Sequence, residues 1–173
     1  MKINLPLSIE NKRNLKLGDT VYLNGEILTA RDCAHKKICN ALKNGEKLPF
    51  DLRGQIIYYA GPCPAPLGLA SGSCGPTTSA RMNTFAPMLL DYGLCGMIGK
   101  GEMNKEVCES IKKNNGIYFS AIGGAGAIYG SAILKSEIIA YPELLSEAVY
   151  KLTVKDFPVI VAIDSFGNTI YKI

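Results

Sequence analysis

Tryptophan is absent from the 173 residues, histidine occurs once, at position 35, and no two of the six cysteines are spaced Cys-x-x-Cys. These absences argue against a structural zinc site, which needs clustered thiolate or imidazole ligands. No Lys/Arg run is interleaved with aromatic residues, and the net charge of +4 is spread thinly along the chain. Nucleic acid is therefore not expected as a partner, since its phosphates call for a basic stripe with stacking platforms. No segment is apolar over the roughly 18 residues that a membrane helix needs. The opening Met-Lys-Ile-Asn-Leu-Pro-Leu-Ser also lacks the apolar core of a signal peptide. The expectation is a cytoplasmic chain without membrane contact. Its thiols, at 33, 39, 63, 74, 95 and 108, would then be reduced and mostly small apolar core residues.

What is present is core material. A hydrophobic content of 47% with 20% charged residues excludes a disordered chain and predicts a single domain over residues 1–173. Asn24-Gly25, between Thr20–Leu23 and Glu26–Thr29, predicts a β-hairpin. Arg31 to about Asn44 predicts a helix capped by Thr29 or Asp32 and ended at Asn44-Gly45. Ile56–Ala60 is a short apolar strand. From Ser79 to Tyr92, Met82, Phe85, Ala86, Met88, Leu89 and Leu90 recur near helical spacing until Gly93 stops the helix. A strand at Cys95–Ile98, a helix at Asn104–Asn114 and a strand at Ile117–Ile122 follow. The last strands are expected at Ala132–Ile139, Ala148–Val154, Val159–Ile163 and Thr169–Tyr171. Strand–helix alternation in the middle predicts a partly parallel sheet, with antiparallel pairing at both ends of the chain. The fold class is α/β, one mixed-sheet domain.

Residues 61–83 hold small hydroxyl residues, Cys63 and Cys74 among glycines and prolines, then a helix start bearing Arg81. A long loop of such composition inside a compact domain is often functional. Thr77, Thr78 and Ser79 fall where backbone N–H groups lack partners, so hydroxyls, amides and a guanidinium meet in a volume suited to a carboxylate or phosphate. The plainer alternative is that Thr77 or Thr78 caps the helix and Arg81 is a solvated charge. Arg31, at the start of one helix, and Lys100, at a strand end, lie at the element boundaries where α/β folds open their crevices. Three cations exceed the need of one monoanion; a dicarboxylate fits them better, with a bidentate arginine on one of its ends.

Five collinear motifs add a resemblance. They are Arg-Asp-x-Ala-His at 31–35, Gly-Pro-Thr-Thr-x-x-Arg-Met at 75–82, Ile-Gly-Lys-Gly at 98–101, Gly-Gly-Ala at 123–125 and Glu-Ala-Val-Tyr-Lys-Leu-Thr-Val-Lys-Asp-Phe-Pro at 147–158. Over nearly its whole length the chain resembles the β portion of the iron–sulfur class I fumarate hydratases and L(+)-tartrate dehydratases. The resemblance implies a swivelling β/β/α domain that closes over a [4Fe–4S] cluster held by three cysteines of a partner α portion. The open iron would act as a Lewis acid on the hydroxyl that leaves or adds. It further implies that Arg31, Arg81 and Lys100 bind the carboxylates of a C4 dicarboxylate. Thr77, helped by Thr78, would take part in proton transfer or hydroxyl positioning, with no metal ligand in this chain; Gly75 is a candidate for support, and His35, one helical turn from Arg31, invites a base or ligand role but is expected to orient a neighbour or the Arg31 helix. A threonine hydroxyl has no useful pKa near neutrality, so the general base is expected in the partner. Asn83 departs from the family's usual aspartate, a residue able to pair with a guanidinium, so the change bears on how Arg81 is oriented. The expected activity is reversible hydration of fumarate to malate. The alternatives are a tartrate dehydratase β subunit and a non-catalytic dicarboxylate-binding module.

Overall fold

The computed structural model describes residues 1–172. Its strands are β1 (Lys2–Asn4), β2 (Thr20–Thr29), β3 (Ile56–Tyr58), β4 (Gly96–Gly99), β5 (Tyr118–Ser120), β6 (Ile133–Ala140) and β7 (Val149–Ile163). Its helices are α1 (Ile9–Asn14), α2 (Asp32–Lys43), α3 (Ala86–Tyr92), α4 (Lys105–Asn114) and α5 (Gly126–Ser131), with 3-10 turns at Ser79–Met82 and Pro142–Glu147. The sheet order is β1-β2-β3-β4-β5-β7-β6, and a further β2–β7 pairing closes β2, β3, β4, β5 and β7 on themselves. Mixed α/β architecture in one domain is what the alternation of elements predicts. β2 to β5 are mutually parallel, while β7 runs antiparallel to β2, β5 and β6.

Side-chain alternation builds two cores. Ile56 and Tyr58 of β3 face one cluster with Ile98, Phe119, Leu152, Phe157 and Val161 inside the closed sheet. Ile57 and Tyr59 face the other, where Ile38, Leu89, Leu90, Val107 and Ile111 of α2, α3 and α4 cover the sheet. Successive strand residues point to opposite faces, and strands covered on both faces read as continuous apolar runs; β3 and β4 are buried at every position.

Four expectations need correction. Asn24-Gly25 makes no hairpin: β2 runs straight through it with a register shift against β7, and Gly25 supplies the positive φ (+127°). The dipeptide serves a bulge because both apolar flanks pair with one long partner strand. The helix expected from Ser79 to Tyr92 is two pieces, because Pro87 lies in the first turn of α3; proline is tolerated there but not in a helix interior. Gly93 ends α3 in the left-handed region (φ 118°) as expected. Neither Thr29 nor Asp32 caps α2, whose N-cap residue is Arg31: the Thr29 hydroxyl accepts from the Tyr150 N–H at 3.2 Å, and the Asp32 carboxylate binds Arg81. Finally, β1 pairs parallel with β2, the two late strands are the single β7, and the expected strand at Thr169–Tyr171 is one isolated bridge to Ile163.

Candidate active site at the ends of the parallel strands

The C-terminal ends of β2, β3, β4 and β5 fall at one edge of the sheet, in register through Thr29↔Tyr58, Tyr58↔Ile98 and Gly99↔Ser120. Each strand releases a chemistry-bearing segment there: Arg31 after β2, the 61–78 loop after β3, Lys100 after β4 and the Gly123–Gly126 turn after β5. Open α/β sheets bind ligands at such an edge.

Arg81 donates from Nε to Asp32 Oδ1 at 3.1 Å and from Nη2 to Asp32 Oδ2 at 2.7 Å. This fork occupies one side of the guanidinium and leaves the Nη1 donors for another acceptor. Asp32 is the first residue of α2, next to Arg31, so the pair ties the second arginine to the turn that carries the first. It also answers the question raised by position 83. The Asn83 side chain accepts from the Asn104 N–H at 3.1 Å, ahead of α4, and the carboxylate that orients Arg81 is Asp32.

Arg31 is held more loosely. Its half-buried side chain lies against Gly61, where an added Cβ would sit 3.4 Å from both Cδ and Nη1. Its Nε is 3.7 Å from Glu147 Oε1 and has no hydrogen-bond partner although it is buried. The Arg31 carbonyl accepts from His35 Nδ1–H at 2.8 Å. His35 is fully buried between the rings of Tyr59 and Phe85, and burial pushes its pKa down to about 4. It is therefore neutral at physiological pH, and the hydrogen bond to Arg31 requires the Nδ1–H tautomer. His35 supports the Arg31 turn instead of facing the open edge.

The Thr77 N–H donates to the Tyr59 carbonyl at 2.7 Å, and Thr78 forms a parallel bridge with Lys100. Among the described residues neither threonine hydroxyl makes a hydrogen bond, and Thr78 precedes its 3-10 turn without a side-chain cap. Capping, the plainer alternative for these residues, is not what they do here. The exposed Lys100 rests its stem on Gly123, where a Cβ would lie 2.9 Å from Lys100 Cδ. Gly75 faces Gly126, where an added Cβ would make only ordinary contact, 3.5 Å from the Gly126 Cα. Ser79 turns inward from the hydroxyl cluster, its buried hydroxyl accepting from the Lys100 N–H at 2.8 Å, and Tyr118, which no sequence signal marks, also belongs here, its hydroxyl 2.8 Å from that of Ser79.

Cys39, Cys74, Cys95 and Cys108 are buried, while Cys33 and Cys63 are exposed; burial pushes the Cys74 thiol up to about 12. Among the described residues no three of His, Cys, Asp and Glu are grouped as a metal would require. No helix of the described residues is long and apolar enough to cross a membrane. Beside the cationic edge runs an apolar groove of about 400 Å³, lined by Pro62, Cys63, Ile138, Leu145 and Tyr150 among others.

Two arginines, a lysine and two threonine hydroxyls without hydrogen-bond partners thus lie beyond the parallel strand ends of a mixed α/β domain. The particular family follows from comparison: the Fumarase C-terminus family model matches residues 1–173, and the chain belongs to that family. It is 40% identical to fumarate hydratase 2 of Leishmania major over 99% of this chain and 31% of that protein. It is 41% identical to the aerobic class I fumarate hydratase of Escherichia coli K12 over 87% of this chain and 28% of that protein. It is 42% identical to a Methanocaldococcus jannaschii protein whose name assigns it as an L(+)-tartrate dehydratase subunit beta, over 96% of this chain and 88% of that protein. The chain thus spans about three-tenths of the length of the fumarate hydratases it matches.

Proposed function

We propose that this chain is the β subunit of a cytoplasmic hydro-lyase that reversibly hydrates fumarate to malate. Its partner would be an α subunit carrying a [4Fe–4S] cluster. Adding water across the double bond places a hydroxyl on one carbon and a proton on its neighbour. The substrate is thus a dianion whose two carboxylates must be held apart and fixed. Arg81, oriented by Asp32, offers its free donors to one carboxylate, and Arg31 and Lys100 take the other. Thr77, with Thr78, positions the hydroxyl or passes the proton, its own pKa being too high for a base at neutral pH. On this reading the partner supplies both the cluster and the general base, a threonine hydroxyl having no useful pKa near neutrality. When bound by the partner, the cluster supplies the Lewis acid for the hydroxyl. The observation that carries this reading is that Arg31 and Lys100 follow the ends of parallel strands β2 and β4, and that Thr77 and Arg81 are bonded to the same edge through Tyr59 and Asp32.

A second reading, the L(+)-tartrate dehydratase β subunit, is favoured by the length match: the relative that this chain nearly spans carries that name. A non-catalytic dicarboxylate-binding module would keep the arginines without needing the threonine hydroxyls. Co-production with a cluster-binding α subunit, anaerobic cluster reconstitution and an assay on fumarate, L-malate and both tartrate enantiomers separate the three. Turnover of fumarate and malate is expected; turnover of L(+)-tartrate alone supports the second reading, and no turnover of any substrate the third.

A further inference from the structure

The Ser79 hydroxyl is fully buried and sits between three strand ends. It accepts from the Lys100 N–H at 2.8 Å, and the Ser79 N–H donates back to the Lys100 carbonyl at 2.9 Å. Tyr118 Oη lies 2.8 Å from Ser79 Oγ and 2.7 Å from the Gly101 carbonyl. A phenol has one proton and a carbonyl has none, so the tyrosine donates to Gly101. The serine proton then goes to the tyrosine oxygen, and the serine oxygen accepts from Lys100. Every donor and acceptor in this chain of bonds is used once. Room for it depends on Gly99, where a Cβ would collide with Ser79 Oγ and approach Tyr59 Cδ2 to 2.7 Å.

We propose that Ser79 and Tyr118 are positioning residues that lock the Thr77–Thr78 segment to Lys100, so that hydroxyls and ammonium meet a ligand in one fixed relation. This rests on the dicarboxylate reading for its ligand, but the lock itself is independent of it. The lock joins the loop after β3 to the end of β4 through a side chain of β5. Those are the elements from which the candidate site projects. The buried ring of Tyr118 already fills the core, so its hydroxyl is present for the bonds it makes.

The test uses the intact chain in Ser79→Ala and Tyr118→Phe forms, the latter keeping the ring. Amide hydrogen exchange is read residue by residue, and L-malate is titrated by NMR. The lock predicts that Ser79→Ala speeds exchange of the Lys100 amide at least about tenfold, the factor that loss of a hydrogen bond of roughly 1.4 kcal/mol carries, while amides of β7 such as Val161 keep their protection. Tyr118→Phe should do so more weakly. Malate affinity should fall by a similar factor in Ser79→Ala, with the shifts at Thr77, Thr78 and Lys100 losing their common dependence on ligand. Uniform acceleration of exchange through the whole sheet, or an unchanged Lys100 amide, overturns the proposal and leaves Ser79 an ordinary core residue. Absence of any malate effect on the wild-type chain counts against the dicarboxylate reading, while the exchange data still decide on the lock.

Discussion

The two walls of the candidate site are built on different principles. The Thr77–Lys100 wall hangs on neutral hydrogen bonds among Ser79, Tyr118, Lys100 and Gly101, centred on the buried Ser79 hydroxyl. The arginine wall hangs on charge: Arg81 forks onto Asp32, Arg31 leans toward Glu147, and the Arg81 side chain is half exposed at 51%. Neutral buried bonds hold positions that salt and pH do not reach, whereas a partly exposed ion pair is screened and individually weak. One wall is thus fixed before a ligand arrives, and the other can still adjust, Arg81 keeping its Nη1 donors for an external carboxylate beside Asp32. Fixed hydroxyls beside adjustable cations suit a site that must capture an anion and then hold its reacting carbons still.

The largest expected effect sharpens this contrast through pH. His35 underpins the arginine wall, and its pKa of about 4 in the folded chain compares with 6.5 for an ordinary histidine. The unfolded chain therefore binds the proton more readily between these values. The stability that comes with the neutral ring is fully present above about pH 6.5 and is lost as pH falls toward 4. The whole loss is about 3 kcal/mol, from about 1.4 kcal/mol per pKa unit. Thermal unfolding of the wild type should steepen its decline between pH 6.5 and 4, and His35→Gln should remove most of that extra slope.

Next in size is Thr77→Val, which keeps shape and removes the hydroxyl. In the assembled enzyme kcat is expected to fall at least about a hundredfold, the lower end for a proton-transfer group, with the melting temperature little changed. A small kcat effect with a lowered melting temperature would mean that the fixed wall is only structural. Arg81→Lys should cost about 2 kcal/mol in substrate interaction, because a point charge cannot reproduce a fork; unchanged KM and kcat would remove Arg81 from the site. The smallest effect is that of Asp32→Asn, about 1 kcal/mol or less for a partly exposed pair, read as a raised KM with kcat nearly intact.

Legibility in the sequence followed the range of the interactions. Arg31, Thr77, Arg81 and Lys100 were picked out because each lies at an element end, and element ends are local signals of glycine, proline and periodicity. The helix stop with a left-handed residue at Gly93 is visible for the same reason. What escaped notice was non-local. The role of Asp32 depends on a partner 49 residues away, and the Ser79–Tyr118 contact spans 39; no spacing rule announces either. Asn24-Gly25 carried a true signal for a positive φ, but only the long β7 partner decides that a bulge uses it. Pro87 was legible and was overridden by the apolar period around it.

The most direct measurement of the central claim is turnover of fumarate by this chain, mixed in varied ratio with a cluster-loaded α subunit. The account predicts a colourless, folded and silent chain alone, with activity appearing on mixing and saturating near equal stoichiometry. Hydration of fumarate by the isolated chain, or stoichiometric iron and sulfide in it after anaerobic reconstitution, would contradict the account.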